Sequence, residues 1–390
     1  MKPLLILLLG LSLYAEQDTP YFYEPYLSQL KNKDTNTSFD YKYKFGAQIS
    51  YDVAYVNAID DSYFAADWRR VRVYHKGSFF NEKLFYELEY SFTGDDKYKD
   101  VFVGYKGKIE PLRTSYRIKY GNIKVPFSLE RYSSSKYTTF MERALTDAYG
   151  EGRKVGGELL LSTKLDKSRI NLFTSVFSNS IDDRINDEPP ESGYSSRLTY
   201  GYKFKKKHLL SIGTAYMYQD INGESVKFKQ SSESDSILDK YVSVKVKNVK
   251  NVKKNNLEFL YINNKFSLQS EYVTATLKNL DESYNFDAYY VQGSYFLIGL
   301  GRAYRFKDST LAKIKPSREG ALEFAFRYSS IDLNDKDEVG GMQSDYTFGI
   351  NWYVNKELKF MLNYIIAEPT STDNYDGTTQ ILQARALFAF

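Results

Sequence analysis

Apolar and polar residues alternate along most of the chain with a period of two, which predicts β-strands with one apolar face and one polar face. Near the C-terminus, Leu382, Ala384 and Phe388 lie on one face of such a strand, while Gln383 and Arg385 lie on the other. A soluble β-sandwich shows the same alternation, so this pattern alone does not separate a soluble protein from a membrane protein.

Three further features favour a transmembrane β-barrel. The alternating runs are about 9–12 residues long, which is the length that crosses a bilayer when a strand is tilted. Aromatic residues lie at the ends of the runs, as in the girdles of membrane barrels, and the last strand ends on Phe390. We count sixteen strands, an even number that returns both termini of the chain to the periplasm. The predicted strands begin near Phe39, Tyr63, Leu84, Tyr98, Thr114, Lys154, Ser168, Tyr194, His208, Leu257, Phe266, Phe286, Gly320, Tyr346, Leu358 and Thr379.

The connections between these strands alternate between short and long. Short turns are predicted to be periplasmic and long loops extracellular, as in bacterial barrels. One connection breaks this rule, because residues 299–319 form a long turn on the predicted periplasmic side and carry Arg302, Arg305 and Lys313. Such a long turn without strand pattern is typical of a functional or disordered segment. The short turns are 81–82, 166–167, 205–207, 263–265 and 355–356, and the long loops are 126–153, 179–192, 219–256 and 331–345.

The N-terminus has the organisation of a signal peptide. Met1-Lys2-Pro3 is a short basic start, residues 4–13 are apolar, and Ala15 offers a small residue for cleavage. We therefore predict a signal peptide over residues 1–15, a short periplasmic segment over 16–38 and the barrel over 39–390. The alternative, an N-terminal membrane anchor, would need an apolar run of roughly 18–20 residues.

Composition narrows the classes further. The chain of 390 residues has no Cys, which excludes disulfides and Cys-based zinc sites. Lys and Arg number 53 against 49 Asp and Glu, and this net charge of +4 is too small to indicate nucleic-acid binding. The aromatic residues are mostly Tyr, which favours surfaces with one apolar side and one wet side. We expect no cofactor and no metal.

The polar faces of the predicted strands are rich in cations. A sixteen-stranded barrel leaves an aqueous channel, and its selectivity follows from the lining charges. Strand parity places three acids in the lumen, Glu87, Glu89 and Glu323, against about ten cations, which predicts a basic interior. The alternative is that Lys and Arg are only common polar residues on a wet face. The predicted lumenal cations are Arg70, Arg72, Lys76, Arg117, Lys119, Arg197, Lys203, Arg327, Lys359 and Arg385.

Residues 126–153 do not alternate and are predicted to form a compact loop. The serines at 133–135 are a plausible helix N-cap cluster, and residues 136–148 have helical composition. On two helical turns, Ser135, Lys136 and Arg143 would lie close together and form a small anion site. The predicted fold is therefore an all-β, 16-stranded antiparallel transmembrane barrel with an inward-folded, partly helical constriction loop. A solvated surface loop is the alternative.

Several stretches resemble the phosphate-selective porin O and P family of bacterial outer membranes. They are Gly-Asn-Ile-Lys-Val-Pro-Phe-Ser-Leu-Glu at 121–130, Ser-Ser-Lys-Tyr-Thr-Thr-Phe-Met-Glu-Arg-Ala at 134–144, and Glu-Phe-Ala-Phe-Arg-Tyr-Ser at 323–329. The resemblance implies a trimeric, passive diffusion channel for anions, with phosphate or a polyphosphate-like ion as the substrate and outer-membrane lipid and lipopolysaccharide as its surroundings.

The resemblance also assigns roles to residues. Ser135, Lys136 and Arg143 match the family's central anion site, and the turn 299–319 matches a periplasmic segment that folds into the barrel. The second strand matches a ladder of paired arginines, but strand parity turns Arg69 outwards, so its place in that ladder requires a local bulge. The lumenal basic wall that we predict consists of Arg69, Arg70, Arg72, Arg117, Lys119, Arg197, Arg327 and Arg385.

Two other function classes are open to the sequence. A general, weakly selective porin without an anion-binding site would have the same barrel. An outer-membrane hydrolase would need a His base, and neither His75, which faces lipid by parity, nor His208 has a placed Ser or Asp partner. A purely structural barrel is not favoured, because no segment is recognised as a plug of the lumen. The sequence therefore predicts a channel rather than an enzyme.

Overall fold

The computed structural model describes residues 40–58, 61–186, 191–221, 223–237, 240–370 and 377–390. The predicted signal peptide and the predicted segment 16–38 lie outside these residues. Within them, sixteen antiparallel strands close into one barrel, because the last strand pairs back onto the first, with Gln48 opposite Ala389. The sixteen-stranded antiparallel barrel is confirmed. Its strands are β1 (Lys42–Asn57), β2 (Ser62–Phe79), β3 (Leu84–Ser91), β4 (Tyr98–Ile109), β5 (Thr114–Lys124), β6 (Arg153–Lys164), β7 (Ser168–Ser178), β8 (Ser192–Lys205), β9 (His208–Asp220), β12 (Asn251–Asn263), β13 (Phe266–Lys278), β14 (Ser283–Ile298), β17 (Ala321–Asp335), β18 (Glu338–Tyr353), β19 (Leu358–Thr370) and β20 (Thr379–Ala389).

Several smaller elements are not part of the barrel wall. Two hairpins, β10 (Val226–Gln230) with β11 (Val242–Val246) and β15 (Tyr304–Arg305) with β16 (Thr310–Leu311), form separate two-stranded sheets. The helical elements are α1 (Leu129–Tyr132), α2 (Ile181–Ile185) and two 3₁₀ turns, Glu110–Leu112 and Leu145–Tyr149. Among the described residues, no helix is long and apolar enough to cross a membrane.

The outer face of the barrel is apolar and exposed. Val103, Val176 and Leu257 retain 57%, 66% and 57% of their accessible surface. Such a continuous apolar surface requires lipid around it. The start of β1 and the end of β20 lie at the rim that carries the short turns. Except for residues 299–320, the long connections lie at the other rim, so the short-turn rim is periplasmic.

The prediction of a long loop over 331–345 is wrong. Alternation continues through these residues, since β17 runs to Asp335, β18 begins at Glu338, and only residues 336–337 lie between them. Both strands project beyond the barrel rim, where Leu333 is buried against a core that includes Val244 of β11. β12 likewise begins at Asn251 rather than near Leu257, because Val252 and Lys254 already face inward.

Three segments fold into the barrel from its two rims. The inner loop, residues 125–152, follows β5, the extracellular insert, residues 221–250, follows β9, and the periplasmic insert, residues 299–320, follows β14. An apolar core joins the first two segments to the barrel wall, and it includes Phe127 and Tyr149 of the inner loop and Phe228 of the extracellular insert. The sequence predicts inward folding for residues 126–153 and 299–319 but no plug, and the three segments together occupy much of the lumen.

The helix predicted over 136–148 is wrong in position. The inner loop has α1 at Leu129–Tyr132, capped by Ser128 rather than by the serines at 133–135. The wall strand β13 sets this position, because the buried carboxylate of Glu271 accepts from the backbone N–H groups of Leu129 at 2.7 Å and Glu130 at 2.9 Å. Residues 134–144 are turns and bends, followed by the 3₁₀ turn Leu145–Tyr149.

Candidate functional site

A charged conduit runs through the part of the barrel that the three segments leave open. Its cavity of about 890 Å³ lies against β1–β5, the inner loop and the periplasmic insert. Sixteen basic and eight acidic side chains line it, so the lining carries a clear excess of positive charge. The basic residues are Lys42, Lys44, Arg69, Arg70, Arg72, Lys76, Lys99, Lys106, Arg117, Lys119, Lys124, Arg131, Lys136, Arg143, Arg153 and Arg305.

The inner loop crosses the lumen without a helix or strand between residues 134 and 144, and the opposite wall holds it by its carbonyl oxygens. Lys359 donates to the carbonyl of Thr138 at 3.2 Å, and Asn351 donates to that of Thr139 at 2.8 Å. Arg302 of the periplasmic insert donates to the carbonyl of Tyr137 at 2.9 Å. Arg385 donates to the carbonyl of Met141, and Arg327 donates to that of Glu142. A buried backbone segment without a helix or strand needs hydrogen-bond partners of this kind. The wall cations therefore position the loop that bounds the conduit.

Glu142 is the charged anchor of the inner loop. Its carboxylate accepts from Arg69 at 3.0 Å, Arg70 at 3.1 Å and Arg385 at 2.6 Å. Burial alone would raise the pKa of Glu142, but these three guanidinium groups outweigh it and hold that pKa well below its usual range. The loop therefore carries a fixed negative charge whose arginine partners come from two barrel strands.

A β-bulge in β2 turns both neighbouring arginines inward. Ser50 of β1 pairs with Arg70, while Asp52 pairs with Asp67, so two residues of β2 face one residue of β1. Strand parity had pointed Arg69 towards lipid, and the structure instead places it on the cavity wall with Arg70 and Arg72. Arg69 also pairs with Asp235 of the extracellular insert at 2.9 Å.

The eight residues of the predicted lumenal basic wall divide into two groups. Arg70, Arg72, Arg117 and Lys119 line the conduit, as does Arg69. The other three, Arg197, Arg327 and Arg385, lie inside the barrel but away from the cavity, where each is buried in ion pairs. Arg197 pairs with Glu258 at 2.8 Å, Arg327 with Glu130 at 3.3 Å and Arg385 with Asp52 at 2.6 Å. Their charges are used to hold segments in place.

Strand parity predicted only three acids in the lumen, and the structure contains more. Asp52, Glu158, Glu258, Glu271 and Asp345 are buried on inward faces of the barrel strands. Several acids that line the conduit also form ion pairs with its cations. Glu89 lies 3.5 Å from Arg72 and from Arg153, and Asp100 lies 2.7 Å from Arg153.

Ser135, Lys136 and Arg143 all line the conduit, although no helix brings them together. The Ser135 carbonyl accepts from the Thr138 hydroxyl at 3.0 Å, and Arg143 Nε lies 3.8 Å from Asp147. Lys136 Nζ stands 4.6 Å from the centre of the Tyr74 ring. Burial lowers the pKa of Lys136, which lies outside the membrane-spanning strands.

Four cations of the conduit make no ion pair within 4 Å to any described acid. They are Lys44, Lys124, Lys136 and Arg305. Lys124 instead donates hydrogen bonds to loop carbonyls, among them that of Ser133 at 2.8 Å. Among the described residues, the ammonium of Lys136 makes no ion pair and lies over the face of an aromatic ring, so its charge is available to a passing ion.

The periplasmic insert closes part of the lower lumen. Arg302 is buried against Glu323, Arg305 lines the conduit, and Lys313 lies at the rim, 3.9 Å from Glu357. A second cavity of about 130 Å³ adjoins the conduit here through Lys44, Lys76 and Lys136. Its lining has one acid, Glu357, and six lysines, which are Lys44, Lys76, Lys136, Lys313, Lys356 and Lys359.

Strand parity missed several conduit cations. Lys99 and Arg153 have outward parity relative to Val101 and Val155 but line the cavity. Near Lys99 the ladder between β3 and β4 is irregular, as the register shift between Leu88 and Tyr90 shows. Arg131 lies in α1, for which strand parity has no meaning. Their position at the borders of the inner loop is the one sequence feature that could have predicted that they line the conduit.

A closed sixteen-stranded barrel with an apolar outer face, short periplasmic turns and a charged conduit narrowed by inward segments defines an outer-membrane porin. The chain belongs to the phosphate-selective porin O and P family, which it matches over residues 41–390. Members of this family are channels rather than enzymes.

Individual relatives agree with this assignment. Porin O of Pseudomonas aeruginosa is 24% identical over 400 residues, which cover 87% of this chain and 86% of that protein. The trimer form of OmpT from Vibrio cholerae has a similar fold, with a TM-score of 0.55 at 12% identity over 90% of this chain and 99% of that chain. The anion-selective porin from Comamonas acidovorans has a TM-score of 0.52 at 12% identity over 90% of this chain and all of that chain, 100%.

Proposed function

We propose that this protein is a passive channel that prefers anions and binds phosphate weakly beside Lys136. The observation that carries the proposal is the lining of the conduit, in which sixteen cations face eight acids. A narrow passage with an excess of fixed positive charge concentrates anions and repels cations. The family is described as phosphate-selective.

The proposed binding site lies where the inner loop meets the wall. Lys136 supplies a charge without an acidic partner, the hydroxyl of Ser135 lines the same cavity, and Arg143 is held loosely at 3.8 Å from Asp147. Ammonium, guanidinium and hydroxyl groups are the donors that phosphate takes. Binding there must stay weak, because a channel conducts only if its ion leaves again.

Lysines continue the path towards the periplasm. The smaller rim cavity shares Lys44, Lys76 and Lys136 with the conduit. We propose that an anion released from Lys136 moves to this lysine-rich exit, which includes Lys313. Arg305 of the periplasmic insert lines the conduit between the two rims and would attract the same ion.

A weakly selective porin without a binding site is the second candidate. The ion pairs of the conduit favour it, since Arg72, Arg117 and Arg153 are each partly neutralised by a carboxylate. The two candidates differ in one measurable property. A site retains phosphate and thereby blocks the chloride current, whereas a general pore passes both ions without mutual block.

Block of chloride current by added phosphate tests the site. Two unit charges 4 Å apart interact by about 1 kcal/mol in bulk water and about 4 kcal/mol at an effective dielectric constant of 20. Lys136→Gln should therefore weaken phosphate block by about five-fold or more. Lys136→Arg should retain it, and Lys108→Gln, at an exposed position on the periplasmic rim, should leave it unchanged. Equal block in the wild type and Lys136→Gln would contradict a site at Lys136.

We further propose that residues 1–15 are a signal peptide and that the porin assembles as a homotrimer surrounded by lipopolysaccharide. The apolar run at residues 4–13 supports the first proposal. The fold shared with the trimer form of OmpT supports the second. Determination of the mature N-terminus by sequencing and chemical cross-linking in isolated outer membranes test the two proposals. An N-terminus at Met1, or cross-linked dimers without trimers, would contradict them.

A further inference from the structure

Three lysines cluster on the outside of the barrel at its extracellular end. Lys253 of β12 and Lys278 of β13 are exposed, whereas Lys254 and Leu277 beside them face inward. The ladder pairs Asn251 with Lys278, so Lys253 and Lys278 are diagonal neighbours, a relation in which side chains of this length meet. The backbone N–H of Lys250 donates to the carbonyl of Lys278 at 2.8 Å, which brings a third exposed lysine into the cluster.

This lysine cluster, Lys250, Lys253 and Lys278, has no ion pair within 4 Å among the described residues. Asp220 of β9 lies opposite Asn251 and is the acid that the ladder places beside it. Within the ladder, three positive charges therefore face one negative charge. Neighbouring like charges destabilise a sheet, so an external anion would stabilise this part of the wall.

A tyrosine belt fixes the depth of the cluster relative to the membrane. Tyr218 lies directly opposite Lys253, and its ring stacks on Tyr194 at 5.5 Å between ring centres. Tyr216 also lies next to Tyr194, with 6.0 Å between ring centres. Such tyrosines mark the boundary between hydrocarbon and headgroups, and the exposed Leu257 lies further towards the periplasm on β12. The lysines are therefore at headgroup level.

We propose that the lysine cluster binds the phosphate groups of an anionic glycolipid in the outer leaflet. Ammonium groups at headgroup level attract anionic lipid phosphates, and the tyrosines below them would contact the acyl boundary. The proposal rests on the outer-membrane location of the barrel and is independent of the selectivity of the conduit.

Native mass spectrometry of the full-length, detergent-purified protein tests this site with bisphosphorylated lipid A as the probe. The wild type should retain lipid A at least five-fold more than the triple variant Lys250→Gln/Lys253→Gln/Lys278→Gln. A matched triple variant of exposed lysines on the extracellular hairpin, Lys227→Gln/Lys229→Gln/Lys245→Gln, should bind like the wild type. Heat-modifiable electrophoretic migration verifies that each barrel is folded, so reduced binding cannot be attributed to misfolding.

Two further probes identify what is bound. Dephosphorylated lipid A should bind the wild type no better than the cluster variant, and inorganic pyrophosphate should not displace lipid A at equal concentration. Undiminished lipid A binding by the cluster variant would overturn the proposal. So would equal binding of the dephosphorylated lipid, which would place recognition on the tyrosines, or displacement by pyrophosphate, which would identify a site for soluble anions. Phosphate block of the chloride current is measured separately, so a failure here leaves the proposed function untouched.

Discussion

The extracellular insert depends on one buried carboxylate, that of Glu233. Arg327 donates to Glu233 through Nε at 2.7 Å, and the hydroxyls of Ser329 and Thr347 donate to it at 2.5 and 2.6 Å. Both charged side chains of the ion pair are fully buried. Removing one partner of such a pair costs about 3–5 kcal/mol, because the other charge is left without compensation.

We expect Glu233→Gln to release the insert from the lumen. The lower end of that range, about 3 kcal/mol, applies because Gln keeps an acceptor and Glu130 still faces Arg327 at 3.3 Å. This shifts the equilibrium between the docked and released insert by roughly 100-fold. Released insert widens the lumen, so single-channel recordings should show a higher conductance level that is rare in the wild type.

Two variants control this experiment. Glu233→Gln/Arg327→Gln removes both charges and should restore much of the wild-type behaviour, since a buried pair contributes less than its separated members cost. Glu282→Gln breaks an exposed pair with Lys336 at 2.8 Å and should have no effect. Wild-type conductance in Glu233→Gln, or a double variant as disturbed as the single one, would refute the reasoning.

Three other predictions concern the inner loop and the topology. Replacing residues 134–141 by a short glycine linker should raise single-channel conductance, and unchanged conductance would place the constriction elsewhere. Because burial lowers the pKa of Lys136 below the usual value of about 10.4, its charge should be lost at a lower pH than that of an ordinary lysine. Anion preference should therefore decline as pH rises through that range, and Lys136→Arg should reduce the decline, to which the other lysines of the conduit also contribute. Protease added to whole cells should cut at Lys227 or Lys245 and spare 263–265, whereas cleavage at 263–265 would reverse the topology.

Much of the barrel follows from periodicity in the sequence. Eight predicted strand starts coincide with the structure, among them Leu84, Thr114 and Leu358. A period of two reports which residues share a face, and one face of each barrel strand contacts lipid, so register and number of strands are strongly constrained. The same signal predicts that Arg197 and Arg327 point inward, which they do.

Periodicity does not report what covers an inward face. Arg327 was expected on the wall of an open lumen, but Glu233 lies 94 residues earlier in the chain, and nothing local in the sequence indicates that the two meet. The hairpin of β10 and β11 alternates like a barrel strand yet folds inside. Periodicity also fails at a bulge. One extra residue in β2 turns Arg69 inward, and only the register with β1 reveals this extra residue.

The zero-current potential of the wild-type channel in a potassium chloride gradient tests the central claim most directly. The excess of positive charge on the conduit wall predicts a potential with the sign of chloride permeation, and the potential should decrease as salt screens the fixed charges. A potential with the sign of potassium permeation would contradict the account, because the cations that line the conduit would then be neutralised by its acids.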